Sequence, residues 1–413
     1  MSAPLEGVRV IDLTAVWAGP FGARMLGDYG AEVIKVESPG QWDQLRGLGL
    51  IPRSEPHWYD RSAYFNHNNR NKYGFALDLS GDMGRDILLR LCAISDVMVE
   101  NFRADVMDRL RLSYDDVRAA NPRLIYVSMP GHGKTGPEKD HVAYGSNVEQ
   151  LSGLVSLTGY EGGEPMKTGF SYGDPIAGTG LVGAVAVALR QRTRSGEGCY
   201  IELAQRENLT MFVGEYLVDY SMNHEQRPPL GSRHPFLAPH NRYPSAGEDR
   251  WVTIACEDDV QFASLCAALG RPELAADPRF ADAPLRKTNE DELDEIIGEW
   301  TARRGHHEAM HLLQRAGVPA GAVLTIPELM ADPHLREREA WVQHTHPYAG
   351  TWEMEAPPWK LSRTPGGVRL PAPGFAQHNS YVLRDLLKLD DSEIERLYAS
   401  GVTADMPDET IHQ

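Results

Sequence analysis

Several features that would assign a function directly are missing or rare. The four cysteines, Cys92, Cys199, Cys256 and Cys266, form no CxxC pair and have no regular spacing, which argues against a disulfide framework and a structural zinc site. Acidic residues outnumber basic ones by 58 to 41, and the net charge of −17 argues against nucleic acid as a general partner. No apolar run has the length of a membrane span, and the amino terminus lacks a basic segment followed by a long apolar one. We expect a cytoplasmic protein that binds neither nucleic acid nor a membrane.

The 413 residues are 42% hydrophobic, so the chain can bury a large core in two or three domains. In the amino-terminal part, apolar runs that predict strands alternate with segments that predict helices. The predicted strands are residues 8–13, 32–37, 75–79, 96–100 and 124–129, and the predicted helices are 19–30, 83–93 and one capped by Ser113. This alternation predicts an α/β fold with a mostly parallel sheet covered on both faces.

A parallel sheet of this kind often binds a dinucleotide, but the required glycines are missing. The first predicted strand is followed by Thr14-Ala15-Val16-Trp17-Ala18-Gly19-Pro20 rather than by G-x-G-x-x-G, and the bulky Trp17 lies in the turn. The sequence therefore argues against a nicotinamide or flavin enzyme.

The stretch from Ser171 to Gln205 predicts a loop, a long helix, a turn and a strand. We place Asp174 at the N-cap, Pro175 at the first helical position and the end of the helix at the Ser-Gly-Glu-Gly turn. Residues 177–189 are almost wholly apolar and include three glycines, which predicts a buried helix that another backbone can approach closely. Asp174 can be an ordinary helix cap, or a carboxylate that the helix dipole keeps ionised as a nucleophile.

The pattern changes after Gln205. Residues 206–232 read as a linker, and residues 233–325 as a small domain with a strand at 251–255 and helices at 260–269, 290–301 and 308–316. Residues 326–413 begin with little periodicity and close with a helical pair at 380–388 and 392–399. This last part is too small for a core of its own, so we expect it to return to the first domain.

One motif suggests a zinc hydrolase. His307-Glu308-Ala309-Met310-His311 matches H-E-x-x-H, which places two imidazoles on one face of a helix. The apolar stripe of that helix lies opposite the two histidines, so they point to solvent rather than into a sheltered cleft. We reject the zinc hydrolase and predict no metal site.

The chain also resembles a known family along almost its whole length. PLEGVRVIDLTAVWAGPFGARMLGDYGAEVIKVESPG closely resembles the opening of the class III CoA-transferases, the group of formyl-CoA transferase, carnitine CoA-transferase and the α-methylacyl-CoA racemases. Further similar stretches follow in the family's order: NHNNRNKYGFALDL, DVMVENFRADVMDRL, NPRLIYVSMPGHGKTGP, GDPIAGTGLVGAVAVALRQRTRSGEG and LLKLDDSEIERLYASGV. Several independent matches in order are more specific than any single motif.

The resemblance implies a Rossmann-like large domain built from both chain ends (1–205 and 326–413) with an inserted smaller α+β domain, and a homodimer of interlocked rings. It implies an enzyme that transfers coenzyme A from an acyl-CoA thioester to a free carboxylic acid. In that chemistry Asp174 forms an anhydride and then an aspartyl-CoA thioester, and no permanently bound cofactor is needed.

The resemblance also assigns roles to residues around Asp174. It places the oxyanion donors and acyl pocket at Val16, Trp17, Ala18 and Tyr144. It places coenzyme A against Lys35, Arg46, Asn71, Lys72, Asn101, Phe102, Arg103 and Arg109. Taken singly, without the resemblance, each basic residue among them is more often a solvated surface charge than a ligand contact.

Two positions depart from the family pattern. Ser38 stands where relatives often have arginine, so one phosphate contact is in doubt. Gly145 stands where many relatives have an acidic residue after the tyrosine, which leaves open what orients Asp174.

The racemases of this family use a histidine as the acid/base partner of their aspartate. The segment that resembles theirs here, Ala143 to Asn147, has no histidine; His141 is three residues early and His132 lies in the preceding loop. We interpret both as loop residues and favour the transferase. A non-catalytic CoA-binding protein is a third alternative, which the retention of Asp174 argues against. The substrate pair stays open, with succinyl-CoA and a dicarboxylic or aromatic acid as our guess.

Overall fold

The computed structural model of this chain describes residues 3–49 and 51–410, and these form two compact units. The first unit comprises residues 1–154, 168–223 and 336–413, and the second comprises 155–167 and 224–335. Residues 155–167 belong to the second unit, whereas the predicted division places them in the large domain. Backbone and side-chain contacts explain the difference, because Gly231 donates to the carbonyl of Gly159 at 3.0 Å and Arg233 pairs with Glu161 at 2.9 Å.

The first unit is built on a six-stranded parallel sheet. Its strands are β1 (Arg9–Asp12), β2 (Glu32–Glu37), β3 (Lys72–Ala76), β4 (Val97–Glu100), β5 (Ile125–Ser128) and β6 (Tyr200–Glu202). They are arranged in the order β3-β2-β1-β4-β5-β6, the order of the doubly wound nucleotide-binding folds. The predicted parallel sheet is confirmed. The third strand begins at Lys72 rather than at Phe75, because backbone pairing with β2 begins at Lys72 opposite Val33 and ends at Ala76 opposite Glu37.

Helices cover both faces of this sheet. They are α1 (Ala18–Asp28), α2 (Ala63–Asn69), α3 (Asp82–Ala93), α4 (Val106–Arg109), α5 (Tyr114–Ala120), α6 (Gly145–Leu151), α7 (Gly173–Ser195), α8 (Gln205–Thr210) and α9 (Gly214–Asn223). Adjacent strand residues point to opposite faces, so Val10 packs in one core with Val33 and Ala177, while Ile11 packs in the other with Ile34. Each core therefore joins alternate strand residues to the helices on its own side.

Glycines bring α1 and α7 into close backbone contact. A Cβ at Gly22 would lie 2.6 Å from the carbonyl oxygen of Gly178, and a Cβ at Gly178 would lie 2.8 Å from the carbonyl oxygen of Ala18. This confirms the predicted close approach to α7. As expected, the helix ends at Gly196, which has a positive φ of 79°.

The prediction that α7 is buried all round is wrong. Leu181 and Val185 face the core, but Val187 is 71% exposed and a Cβ at Gly183 would meet no atom within 4 Å. On the outward face of α7, Gly183, Ala186 and Val187 are exposed within residues 3–49 and 51–410. An apolar sequence predicts that a helix is buried, but it does not identify the surface that buries it.

The second unit contains a three-stranded antiparallel sheet, β7 (His240–Pro244), β8 (Trp251–Ala255) and β9 (Ala320–Ala322), in the order β7-β8-β9. Its helices are α10 (Asp259–Ala268), α11 (Ala283–Thr288), α12 (Glu290–Thr301), α13 (His306–Arg315) and α14 (Ile326–Ala331), and α15 (Pro333–Glu337) lies at the boundary of the units. The strand predicted at 251–255 and the helix predicted at 290–301 are confirmed.

The carboxyl-terminal segment returns to the first unit. It forms an antiparallel hairpin that we did not predict, β10 (Trp341–His346) and β11 (Gly350–Glu355), then a π-helix, Tyr381–Leu386, and α16 (Asp391–Ala399). His378 accepts a hydrogen bond from the Gly74 amide at 3.0 Å, and the Thr403 hydroxyl donates to the Ala76 carbonyl at 2.7 Å. Within residues 3–49 and 51–410, no helix combines the length and the apolar composition needed to cross a bilayer.

Candidate active site

Asp174 is the second residue of α7, and the N-cap is Tyr172. The predicted N-cap is therefore wrong by two residues. The helix begins earlier because the carboxylate of Glu149, on α6, accepts the backbone amide of Tyr172 from outside the helix. Asp174 is 7% exposed and lies in the first turn, where the helix dipole favours a negative charge.

The Asp174 carboxylate lies against the first residue of α6. An ideal Cβ at Gly145 would be 1.9 Å from Oδ2 of Asp174, so only glycine leaves room for the carboxylate. The Ser171 side chain and the Ala18 amide hydrogen-bond to it. Burial and, less strongly, the nearby Glu149 carboxylate raise the pKa of Asp174 to about 6, although both hydrogen bonds lower it. At neutral pH Asp174 is therefore mainly ionised, and its carboxylate is more basic than that of an exposed aspartate.

The turn between β1 and α1 faces Asp174. Val16 has a positive φ of 69°, and its amide donates to Oδ1 of Asp43 at 3.2 Å. The Trp17 ring contacts Tyr64 and Phe170 at centroid distances of 6.3 and 6.4 Å. Among the residues that the structure describes, the buried indole Nε1 of Trp17 has no hydrogen-bond partner.

Asn101 holds this turn in place. Its Oδ1 accepts the Ala15 amide at 2.8 Å, and its Nδ2 donates to the Ala15 carbonyl at 2.8 Å. The side chain that we expected to contact coenzyme A thus fixes the residue before Val16 from both sides.

Two adjoining cavities of the first unit meet at this turn. The smaller, of about 280 Å³, contains Asp174, Val16, Trp17, Tyr144 and Gly145 in its wall. The larger, of about 870 Å³, extends past the carboxyl ends of β1 and β2, where doubly wound folds bind their ligands. Both cavities are lined by Ala15, Phe102, Arg103 and Val106. A ligand in the larger cavity can therefore extend to Asp174.

Four of the residues expected to bind coenzyme A line the larger cavity: Lys35, Phe102, Arg103 and Arg109. Arg103 and Arg109 are exposed, and Arg109 pairs with Asp105 at 3.2 Å. Lys35 is fully buried, and its ammonium group pairs with Asp43 at 3.0 Å and donates to the Thr14 carbonyl at 2.7 Å. Among these four residues, the exposed cations are therefore Arg103 and Arg109.

The other three, Arg46, Asn71 and Lys72, line neither cavity. Arg46 pairs with Glu37 and Asp60, Asn71 donates to Asp28 at 2.7 Å, and Lys72 pairs with Asp12 at 2.7 Å. All three are buried. Separating such a pair would leave a buried charge uncompensated at a cost of roughly 3–5 kcal/mol. In this structure all three are held in pairs that stabilise the fold and lie outside both cavities, so their expected contact with coenzyme A stays a prediction without support from the geometry.

Comparison with known proteins bears on this arrangement. Residues 5–379 match the model of CoA-transferase family III, which is most of the chain. The chain belongs to CoA-transferase family III. It is therefore an enzyme of the class that transfers coenzyme A between carboxylic acids, and acyl-CoA thioesters are its substrates.

Curated relatives of this family III enzyme cover nearly its full length. A succinyl-CoA–D-citramalate CoA-transferase of Chloroflexus aurantiacus is 36% identical over 400 residues, 97% of this chain and 98% of that protein. A succinyl-CoA:glutarate CoA-transferase of Mus musculus is 32% identical over 97% of this chain and 90% of the relative. An acetyl-CoA:oxalate CoA-transferase of Acetobacter aceti is 34% identical over 92% and 96%.

The fold also matches a solved structure of the family. A CaiB/BaiF family protein from Brucella suis superposes with a TM-score of 0.83 at 31% identity, covering 94% of this chain and 100% of that one. The α/β architecture with a central parallel sheet is thereby shown for this transferase.

Sequence reasoning missed two buried carboxylates of the transferase. Glu149 is fully buried beside Asp174, and Glu100 is 1% exposed at the end of β4. Burial raises the pKa of Glu100 to about 7, although it accepts the Phe102 amide at 2.8 Å. Both could have been singled out from the sequence. Glu100 lies in the family-like stretch DVMVENFRADVMDRL, and Glu149 lies one helical turn after Gly145.

The histidines weighed as racemase partners lie closer to Asp174 than the loop interpretation suggested. His132 and His141 both line the smaller cavity, with ring centroids 6.1 Å apart. Burial lowers the pKa of His132, and Arg206 lowers it further. Both are loop residues as predicted, and both line the cavity that Asp174 also lines.

The two histidines of the H-E-x-x-H motif, His307 and His311, do not belong to one group of metal-ligating side chains in the described part of the chain. In the described ranges, 3–49 and 51–410, the one group of three metal-ligating side chains within 4.8 Å comprises His306, His307 and Glu328, without His311. Glu328 is occupied there, since it pairs with His306 at 3.1 Å and accepts the Thr325 amide at 2.8 Å. The rejection of the zinc motif rests on this arrangement and on the family.

Proposed function

We propose that this transferase moves coenzyme A through covalent intermediates on Asp174. The observation that carries the proposal is a buried, ionisable carboxylate at the start of α7, in a cavity that adjoins a larger one lined with arginines. A water-poor site suits this chemistry, because an acyl anhydride is readily hydrolysed.

The proposed reaction has four steps. The Asp174 carboxylate attacks the thioester carbonyl carbon and expels the CoA thiolate, which gives a mixed anhydride. The thiolate attacks the Asp174 carbonyl carbon of the anhydride, which gives an aspartyl-CoA thioester and releases the donor acid. The acceptor carboxylate then attacks this thioester, and the thiolate leaves. Finally the thiolate attacks the acceptor's carbonyl carbon, which yields the new acyl-CoA and the free Asp174 carboxylate. Nucleophile and leaving group are both anions, so no net proton transfer is needed.

The turn before α1 is our candidate for stabilising the oxyanions. The Ala18 amide already donates to the Asp174 carboxylate, and the Val16 amide donates to Asp43. We propose that the unpartnered indole N–H of Trp17 donates to the acyl group, and that Trp17 and Tyr144 form the acyl pocket. Tyr144 is exposed at the N-cap of α6 and borders the same cavity.

We propose that the larger cavity binds coenzyme A. Arg103 and Arg109 are suited to its phosphates, since guanidinium groups bind phosphate oxygens through two parallel hydrogen bonds. Phe102 offers an apolar contact, and the buried ammonium group of Lys35 adds positive charge at the wall of this cavity. Ser38, which replaces an arginine of many relatives, lines the same cavity and adds no charge.

For the substrates we propose succinyl-CoA as donor and a dicarboxylic acid as acceptor. The three relatives described above are named for citramalate, glutarate and oxalate, and two of them for succinyl-CoA. The Asp174 cavity also carries the cationic or titratable groups Arg103, Lys139, His132 and His141, which suit a second carboxylate. An aromatic acceptor is the other guess and gains no such support.

The test is peptide mass mapping after incubation with a panel of acyl-CoA thioesters and hydroxylamine. A hydroxamate on Asp174 with one thioester, absent from Asp174→Ala, is expected and would identify the donor. His132 and His141 favour the racemase as a second candidate, so the same incubations are run in deuterated water. Exchange of the α-proton with no adduct on Asp174 would contradict the transferase mechanism and favour the racemase.

A further inference from the structure

Glu149 is a fully buried carboxylate that the proposed reaction does not use. Its Oε2 accepts the Thr168 hydroxyl at 2.9 Å, and its Oε1 accepts the Tyr172 amide. Burying a carboxylate is costly unless hydrogen bonds compensate for the lost water, and both oxygens of Glu149 have such bonds. Its hydrogen bonds tie α6 to the two ends of the segment 168–172, which leads into α7.

This segment is the one that positions Asp174. Ser171, between the two anchored residues, hydrogen-bonds to the Asp174 carboxylate. Gly145, one turn before Glu149 on α6, leaves the space that Oδ2 of Asp174 occupies. Helix α6 therefore leaves room for the Asp174 carboxylate at Gly145, and through Glu149 it holds the segment 168–172 that leads to Asp174.

We propose that Glu149 is a positioning residue for the reaction, which holds the segment 168–172 and keeps a second negative charge beside the nucleophile. The inference rests on the proposed function for the meaning of the charge, but the coupling between the two carboxylates can be measured without any substrate.

The charge has a predictable effect on Asp174. Two neighbouring carboxylates disfavour each other's ionised forms, and Glu149 is among the causes that raise the pKa of Asp174 to about 6. Removing the charge should therefore lower the pKa of Asp174 and move the acid limb of kcat/KM to lower pH. A less basic carboxylate is also a weaker nucleophile, so kcat should fall on the neutral plateau. The other charged or titratable groups of the cavity wall are Arg103, Lys139, His132, His141 and Tyr144.

Two variants separate the charge from the hydrogen bonds. Glu149→Gln removes the charge, yet its amide can still accept from Tyr172 and donate to Thr168. Thr168→Val removes the hydroxyl contacts with Glu149 and with the Phe170 carbonyl and keeps the charge. We expect Glu149→Gln to move the acid limb down by about half to one pH unit. We expect Thr168→Val to lower kcat about tenfold without moving the limb. Glu197→Gln, in the exposed turn at the far end of α7, is the matched control and should change neither.

A substrate-free measurement keeps this proposal distinct from the proposed function. In protein labelled with [4-¹³C]aspartate, the resonance that Asp174→Asn removes reports the titration of Asp174. Its midpoint should fall in Glu149→Gln and stay in Glu197→Gln. An unchanged midpoint together with an unchanged kcat overturns the positioning role even if coenzyme A transfer is established. A lower midpoint in an enzyme that forms no Asp174 adduct supports the coupling and refutes the proposed reaction instead.

Discussion

The position of Asp174 depends on the absence of a side chain at Gly145. A methyl group there would lie 1.9 Å from Oδ2 of Asp174 and 2.8 Å from Cβ of Ser171, well inside van der Waals contact. Both neighbours are short side chains near the backbone, so neither can swing away as the end of a long side chain would. The nucleophile and the glycine are therefore one structural unit.

We predict that Gly145→Ala lowers kcat by about 10² or more, since a displacement of about 1 Å in a reacting group can cost that much. The Ser171 hydrogen bond should weaken as Asp174 shifts, while binding of coenzyme A in the larger cavity should persist. Steady-state kinetics measure kcat and KM, and circular dichroism reports the fold. Ser146→Ala, the next residue of α6, is the control and should retain activity. An alanine enzyme with the parent kcat would show that Asp174 does not occupy this space during the reaction.

Single residues also mark where sequence reasoning reached its limit. Asp174, Trp17, Tyr144 and Phe102 could be placed near one another from motifs alone, and the structure brings them to adjoining cavities. The contacts of Lys72 could not be predicted from the sequence. A lysine next to asparagines gives the same local sequence whether its ammonium group binds a phosphate or a buried aspartate. Its partner, Asp12, lies sixty residues away, so only the folded sheet shows the pair.

At the level of elements, the contact of α1 with α7 positions the site. The two backbones meet through Gly22 and Gly178, and Ala18 at the start of α1 hydrogen-bonds to Asp174 at the start of α7. A change in the distance between α1 and α7 should therefore displace the Asp174 carboxylate. Small residues at a helix crossing are what allow such close packing.

We predict that Gly178→Ala destabilises the enzyme by about 1–3 kcal/mol, the usual cost of adding a methyl group to a closely packed site. Its Cβ would lie 2.8 Å from the Ala18 carbonyl oxygen and 3.0 Å from the Gly22 amide nitrogen. The apparent melting temperature should fall, and kcat should fall with it because Ala18 is displaced.

The matched control for that change is Gly298→Ala, inside α12. There the nearest atom to a Cβ is Cδ of Pro244 at 4.0 Å, so the better helix propensity of alanine should leave stability equal or up to about 1 kcal/mol higher. Equal melting temperatures for the two variants would mean that α1 and α7 separate without cost.

Elements with strong local signals could be predicted, and those fixed by distant contacts could not. The strand at 32–37 and the helix at 290–301 have the predicted bounds, because the apolar pattern that predicts each of them lies within the element itself. The hairpin β10–β11 was missed, since its strands carry histidine, glutamine and glutamate among their apolar residues. Its stability comes from pairing and from contacts such as Arg70 donating to the Glu355 carbonyl at 2.7 Å. Those contacts link residues 285 positions apart.

At the scale of the whole molecule, apolar surface remains uncovered on the first unit. In α9, which has no buried residue, Leu217, Val218 and Met222 are 51%, 58% and 73% exposed. Val187 on α7 is exposed as well. Apolar residues of a regular helix are expected to be buried against something, and large exposed apolar patches mark interaction surfaces. We propose that a second copy of the chain covers this surface in a homodimer, of the intertwined kind that the family resemblance implies.

We predict that the double variant Val218→Asp, Met222→Asp converts the enzyme from a species of twice 45.9 kDa to one of 45.9 kDa in light scattering after gel filtration. Two carboxylates placed in an apolar interface would lose water without gaining partners, at a cost of several kcal/mol, which is enough to separate the subunits. Val260→Asp, which adds one carboxylate at a valine of α10 that is 75% exposed, should leave the mass unchanged. A parent protein of 45.9 kDa would refute the dimer. A dimeric parent whose mass the double variant leaves unchanged would instead place the interface away from α9. If the double variant is monomeric and also inactive, while the Asp174 resonance keeps its parent titration, then the second copy contributes to catalysis by a route other than the position of the nucleophile.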